Sequence, residues 1–155
     1  MKVIFLMRHG KSDWEPAGVS DFNRPLSERG IRDVLTQGQA LLKEGYRPAK
    51  IFTSPAIRAW QTAHLLAQMT SLPHEAVQPE MGFYREESDA VYASLTALPE
   101  GLETIALVGH NPLWSFLASQ WSGESIEMAT SEIIAFGFDG EWGGFPHKLS
   151  LIHIS

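Results

Sequence analysis

The sequence predicts an α/β fold: a three-layer α/β/α sandwich with a mainly parallel central sheet and a late antiparallel edge hairpin. Three observations predict it. Val3-Ile4-Phe5-Leu6-Met7 and Thr104-Ile105-Ala106-Leu107-Val108 are short apolar runs without polar alternation, the pattern of strands covered on both faces. Between such runs lie stretches with apolar residues at helical spacing, so strands and helices alternate along the chain. The 155 residues, 44% hydrophobic and 19% charged, suit one globular domain over residues 1–155 and argue against disorder.

Taken in order, Val3 to Met7 is the first strand, and the polar, Gly- and Pro-marked Ser12 to Arg24 is a loop. Ser27 is placed to cap a helix whose Ile31, Val34, Leu35, Leu41 and Leu42 share one face, with Gly45 as the stop. Ile51 to Thr53 is a second strand. Ser54 as N-cap and Pro55 in the first helical position then start a helix that runs from Ala56 to Met69. Leu72 to Tyr84, broken by Pro73, Pro79 and Gly82, is expected to be irregular around a short strand near Val77, and Glu87 to Leu98 is a further helix. Thr104 to Val108 is the clearest buried strand, and Leu113 to Trp121 is helical. Ile133 to Phe138 and Lys148 to Ile154 form the late hairpin, joined by the Gly-rich turn Gly140 to Pro146.

Composition narrows the function. Eighteen acidic against twelve basic residues give a net charge of -6, which disfavours nucleic-acid and anionic-membrane partners, because both are bound through Lys and Arg. With no Cys, disulfide scaffolds, zinc ribbons and thiol nucleophiles are excluded. The apolar run that ends at Arg8 is too short for a signal-peptide core or a membrane span, so a soluble, cytoplasmic protein is expected. His64, His74, His147 and His153 form no spaced ligand set, so neither a metal nor another cofactor is expected.

Parallel sheets bind ligands outside the carboxyl ends of their strands. Here the first predicted strand ends in Arg8-His9-Gly10, the second leads through Ser54-Pro55 to Arg58, and the third ends in Gly109-His110. If these strands are neighbours, two His and two Arg converge on one edge of the sheet. The forked Arg side chain matches phosphate oxygens in bidentate fashion. A His beside two Arg is pushed toward its neutral, nucleophilic form, able to form a covalent phosphoenzyme, while a second His stabilises the transferring group. Metal-free phosphoryl transfer is the chemistry such a set describes, and no P-loop pattern points to nucleotide hydrolysis.

Four blocks carry a family resemblance. Met7-Arg8-His9-Gly10-Lys11-Ser12 resembles the Arg-His-Gly signature of the histidine phosphatase superfamily. Asp21 with Arg24-Pro25-Leu26-Ser27-Glu28-Arg29-Gly30 is similar to the second block of its SixA-type phosphohistidine phosphatase branch. Ser54-Pro55-Ala56-Ile57-Arg58-Ala59-Trp60-Gln61-Thr62-Ala63 and Val108-Gly109-His110-Asn111-Pro112 resemble the third and fourth. The blocks stand in family order from the start of the chain to about Trp121, and the chain lacks room for the long insertions of the mutases.

The resemblance implies that His9 is the transiently phosphorylated nucleophile, that Arg8 and Arg58 clamp the phosphoryl oxygens, and that His110 donates to them. It makes Arg24 a third anion contact and Asp21 a residue that orients a site group or handles a proton. Gly10 and Gly109 are expected to let the backbone approach the ligand. Trp14 and Trp114 are candidate pocket walls or core residues, Lys11 and Ser12 are placed either at the pocket mouth or in a solvated loop, and His64, His74, His147 and His153 stand outside the site.

Many relatives carry a carboxylic acid that protonates the leaving oxygen, in the segment that is Glu80-Met81-Gly82-Phe83-Tyr84-Arg85-Glu86-Glu87 here. Phe83-Tyr84 resembles the SixA-type apolar-Tyr pair, and the place of the acid falls near Arg85. Glu80, Glu86, Glu87 and Asp21 all stay open as donors. An alkoxide needs that proton, an effect of about 10²–10⁴-fold, whereas the imidazole of a phosphohistidine is a weaker base and leaves without it. The expected activity is therefore removal of phosphate from a phosphorylated histidine of a partner protein, with small phosphomonoesters as the alternative substrates. A non-catalytic module that binds phosphorylated ligands is the third reading.

Overall fold

A computed structural model of the chain describes residues 1–13, 18–145 and 149–152. The strands are β1 (Lys2–Arg8), β2 (Lys50–Thr53), β3 (Val77–Pro79), β4 (Thr104–Gly109), β5 (Ile133–Phe138) and β6 (Ser150–Ile152). The helices are α1 (Glu28–Lys43), α2 (Ile57–Met69), α3 (Met81–Tyr84), α4 (Ser88–Thr96) and α5 (Leu113–Ser122). Among the described residues the strands form one sheet in the order β3-β2-β4-β1-β5-β6. β3, β2, β4 and β1 are mutually parallel, and β5 and β6 close the edge in antiparallel fashion, as the sequence predicts.

The alternation of side chains along β1 divides the interior in two. Ile4 and Leu6 face a core built with Phe83 of α3, Val91 and Leu95 of α4, and Trp114, Leu117 and Trp121 of α5. Val3, Phe5 and Met7 face the other core, built with Val34 and Leu41 of α1 and Ala59, Ala63 and Leu66 of α2. Helices thus cover both faces, which is why β1 and β4 read as unbroken apolar runs. None of the helices described is long and apolar enough to cross a membrane.

Several local expectations need correction. Helix α2 begins at Ile57 with Ala56 as its N-cap, not at Pro55. Ser54 is fully buried beside His110, and although its Oγ accepts the Ala56 N–H at 3.2 Å, the chain does not turn helical there. On α1, Ser27 caps as predicted, its Oγ accepting the Gly30 N–H at 2.9 Å, but Ile31 lies 38% exposed, off the buried stripe of Val34, Gly38 and Leu41. The loop before α1 is tied down by a 3-10 turn at Asp21–Asn23 and by an isolated bridge between Ser12 and Leu26. The turn joining the late hairpin holds a second 3-10 segment, Trp142–Gly144, because Trp142 is buried and donates its indole N–H to Leu102 O at 2.7 Å. Trp14, Lys148, His147, His153 and Ile154 lie outside the described residues.

Candidate active site

Strand register assembles the site. Thr53 pairs with Val108 and Val108 with Met7, so the next residues on β2, β4 and β1 stand side by side at the carboxyl edge of the sheet. The backbone carries this alignment past the strands: His9 N donates to Gly109 O at 3.0 Å and Ser54 N to Val108 O at 3.0 Å. His9, His110 and Ser54 are thereby brought together, and the two imidazole rings lie 5.0 Å apart between centroids. Arg58, in the first turn of α2, joins them from the helix that follows β2. All but Ser54 line one cavity of about 580 Å³, together with Arg8, Lys11, Asp21 and Arg24.

The nucleophile candidate is held in one tautomer. His9 Nδ1 lies 2.6 Å from Gly10 O, and a carbonyl only accepts, so Nδ1 carries the proton and Nε2 keeps the lone pair. Burial holds the His9 pKa down to about 4 against the pull of that carbonyl, with Arg58, Arg8 and Arg24 lowering it further. The larger cause is thus desolvation rather than the arginine charges from which sequence reasoning starts. His110 is held down to about 3 by burial first, then by His9 and Arg58. Its Nε2 lies 2.7 Å from Ser54 Oγ, while its buried Nδ1 has no hydrogen-bond partner among the described residues.

Asp21 is the hub of the cationic side. Its Oδ1 accepts from Arg24 Nε at 3.2 Å and Nη2 at 2.9 Å, and its Oδ2 from Arg58 Nη2 at 3.2 Å and the Tyr84 hydroxyl at 3.0 Å. Its backbone oxygen accepts a further 2.7 Å bond from Arg58 Nη1. Burial alone would raise the Asp21 pKa, but the bonds from Arg24 and Tyr84 and the nearby Arg58 hold it at about 2. Arg24, predicted as an anion contact, lines the cavity with Nη1 on Ser12 Oγ at 2.5 Å and the rest of its fork on Asp21. Arg8 donates Nη1 to Met128 O at 2.9 Å, and the buried Nε atoms of Arg8 and Arg58 have no partner among the described residues.

Other expectations fall differently. A Cβ on Gly109 would stand 2.5 Å from the Trp114 ring, and one on Gly10 2.9 Å from Val34 and 3.0 Å from Gly30 O. Both glycines are required by packing behind the site, where a side chain has no room. Trp114 is fully buried in that core and is no pocket wall. Lys11 and Ser12 do line the cavity. His64 stacks on Trp60 at 4.2 Å and His74 is exposed, both away from it. Of the candidate acids, Asp21 and Glu86 line the cavity; Asp21 is held ionised by its cationic partners, and Glu86 Oε1 accepts the Leu113 N–H at 2.9 Å at the start of α5. Glu80 Oε1 takes Gln78 Nε2 at 2.7 Å, and Glu87 is exposed; neither lines it.

Sequence reasoning assigned no role in the site to three residues that position it. Ser54 meets His110, Tyr84 meets Asp21, and Thr62 ties α2 to the nucleophile loop. Thr62 Oγ1 accepts the Gly10 N–H at 3.0 Å and donates to Arg58 O at 2.7 Å. Their signal was their place inside the quoted blocks, since Ser54 and Thr62 bracket Arg58 and Tyr84 follows Phe83.

An α/β sandwich that sets two imidazoles and a group of guanidiniums at the carboxyl edge of parallel strands is built to handle an oxyanion. Known proteins agree with that class. Residues 4–80 match the histidine phosphatase superfamily (branch 1). The phosphohistidine phosphatase SixA of Escherichia coli K12 is 31% identical over 135 residues, covering 85% of this chain and 82% of that protein. A structure of the protein histidine phosphatase SixA complexed with tungstate superposes with a TM-score of 0.82 at 23% identity, over 97% of this chain and 94% of the other. A mycobacterial glucosyl-3-phosphoglycerate phosphatase shares the fold at a TM-score of 0.68 and 16% identity, over 98% and 97% of the two chains. The chain belongs to the histidine phosphatase superfamily, branch 1.

Proposed function

We propose that the protein is a phosphohistidine phosphatase that works through phosphorylated His9. The reading is carried by the tautomer of His9: Nδ1–H is pinned on Gly10 O at 2.6 Å, and Nε2 keeps its lone pair in a ring whose pKa is held down to about 4. The substrate binds with a proton already on the ring nitrogen that does not carry phosphorus. Nε2 attacks phosphorus, the P–N bond breaks with its electron pair going to the substrate nitrogen, and the substrate departs as a neutral imidazole. Water then attacks phospho-His9, giving inorganic phosphate and restoring Nε2. Arg8 and Arg58 neutralise the oxygens, and His110 donates Nδ1–H to the transferring group. Arg24 and Asp21 hold this frame, with Arg24 close enough to add charge. Likeness to the SixA of Escherichia coli supports the substrate class.

One observation favours small phosphomonoesters as a second reading: Glu86, a carboxylate, lines the cavity. Against it, Glu86 Oε1 is committed as an acceptor to the first turn of α5. Replacing Glu86 with Gln keeps that acceptor and removes the acid, which separates the two readings.

Turnover of phosphoramidate, phosphohistidine, an aryl phosphate and an alkyl phosphate, with His9→Ala as control, tests the proposal. The P–N substrates are expected to exceed the alkyl ester by about 10²-fold or more, to survive Glu86→Gln within about threefold, and to be lost in His9→Ala while phosphate still binds. Alkyl ester turnover equal to that of phosphoramidate, and reduced about 10²-fold by Glu86→Gln, would establish the second reading instead.

A further inference from the structure

Glu86 is shared by three neighbouring depressions. It lines the cationic cavity that holds His9 and His110. It also borders an apolar groove of about 370 Å³ formed with Pro112, Leu113 and Phe116, and a depression of about 620 Å³ that includes Glu87 and Asp89. The groove is carried by the same turn that supplies His110, since Pro112 follows it by two residues, and Phe116 lies 58% exposed at the start of α5. That turn is firmly built. Asn111 Oδ1 accepts from Ser115 N at 3.1 Å and from Ser115 Oγ at 2.8 Å, and Asn111 Nδ2 donates to Met128 O at 3.0 Å. An exposed Phe on a rigid support next to a ligand cavity is the kind of aromatic that anchors a partner.

The three surfaces differ in chemistry, so whatever spans them must too. The cavity is lined by Arg8, Lys11, Arg24 and Arg58 and suits a phosphoryl dianion. The groove suits an apolar side chain. In the segment from Arg85 to Asp89, three carboxylates stand against one guanidinium, and among the described residues none of the three is in an ion pair. That rim is complementary to a cation. A small phosphate ester fills the first surface alone. A phosphohistidine within a polypeptide brings neighbouring side chains within about 4–7 Å of one another, the spacing that three depressions bordering on one residue, Glu86, call for.

We infer that Phe116, Leu113 and Pro112, with the Glu87–Asp89 rim, form a docking surface for a protein substrate whose phosphohistidine is flanked by an apolar and a basic side chain. The inference rests on the phosphohistidine reading and deepens it by stating what surrounds the phosphorylated ring.

Two peptides phosphorylated on a central histidine test it, one with Leu and Lys around the histidine and one with Ser and Glu, against free phosphoramidate. The Leu/Lys peptide is expected to show a kcat/KM about tenfold above the Ser/Glu peptide. Phe116→Ser and Glu87→Lys are each expected to lower that ratio about fivefold, with phosphoramidate turnover kept within about twofold. Equal values for the two peptides, or a ratio untouched by both variants, overturns the docking surface and leaves the phosphatase reading in place. Failure of wild-type protein to turn over phosphoramidate overturns the phosphatase reading itself. Sedimentation showing a dimer that Phe116→Ser dissolves assigns the groove to a second copy of the chain and likewise overturns the proposal.

Discussion

Ser54 Oγ receives the Ala56 N–H at 3.2 Å and lies 2.7 Å from His110 Nε2. The hydroxyl accepts one N–H, and its own proton has His110 Nε2 as the partner the structure offers; with that proton given to Nε2, a neutral His110 carries its own proton on Nδ1. Nδ1 is the buried nitrogen that finds no partner among the described residues. Ser54 therefore orients the donor of His110, and Ser54→Ala is expected to cost about tenfold in turnover with little change in phosphate affinity. Nitrogen NMR of the ring provides an independent reading: wild-type His110 should be the Nδ1–H tautomer, and the variant a mixture. An unchanged tautomer with an unchanged rate would reduce Ser54 to a packing residue. Sequence reasoning took this Ser for a helix cap because Ser-Pro is a strong helix start. The signal was sound locally. What it lacked was the neighbouring strand, whose register places His110 where the hydroxyl has a second partner.

At the scale of elements, α1 must closely approach the loop that carries His9. Ser27 N donates to Lys11 O at 2.9 Å, and a Cβ on Gly30 would stand only 2.1 Å from that same oxygen. Helix propensity says that Gly to Ala gains about 1 kcal/mol, whereas a methyl driven into backbone costs about 1–3 kcal/mol or more. The steric cost wins here. Gly30→Ala is expected to lower the thermal midpoint by several degrees, at about 2–4 °C per kcal/mol for a chain of this size, and to reduce turnover by moving Lys11 and His9. A midpoint that rises would show that α1 can shift without strain. Strands and helices were legible in this chain because β1 and β4 are covered on both faces and their apolar runs stop at the polar residues that line the cavity. Strand order was legible only as a condition, since no local pattern says that β4 lies between β1 and β2. Ile31 shows the same limit, its spacing fitting the apolar stripe while the buried face runs through Val34, Gly38 and Leu41, with Gly38 against Met69 of α2. The role of Asp21 was also beyond local reading, because its partners Arg58 and Tyr84 are 37 and 63 residues away.

For the whole molecule, the site sets how stability depends on pH. Folded His9 titrates at about 4 and folded His110 at about 3, against an ordinary value of 6.5. Between these limits the unfolded chain binds protons that the folded protein refuses, so stability rises with pH across that window. Their contribution is complete above 6.5 and lost as pH falls through about 4 and then about 3. His64, also held below its ordinary value by burial, acts in the same direction. Asp21 acts later: with a folded pKa of about 2 against 3.8, its contribution is present above 3.8 and lost on falling through about 2. Loss of stability thus begins where histidines protonate, well before the carboxylates take part. For His9, buried and shifted from 6.5 to about 4, the effect is on the order of 3 kcal/mol, a large share of the stability of an ordinary domain. Urea unfolding from about pH 7 down to about pH 4 measures it. The midpoint should fall steadily across this range, and the slope should flatten when His9 and His110 are both replaced by Gln, since an uncharged amide has no proton to gain. A wild-type midpoint level down to about pH 4 would mean that the folded site accepts protons near 6.5, and that His9 is a cation rather than a nucleophile through much of the mildly acidic range.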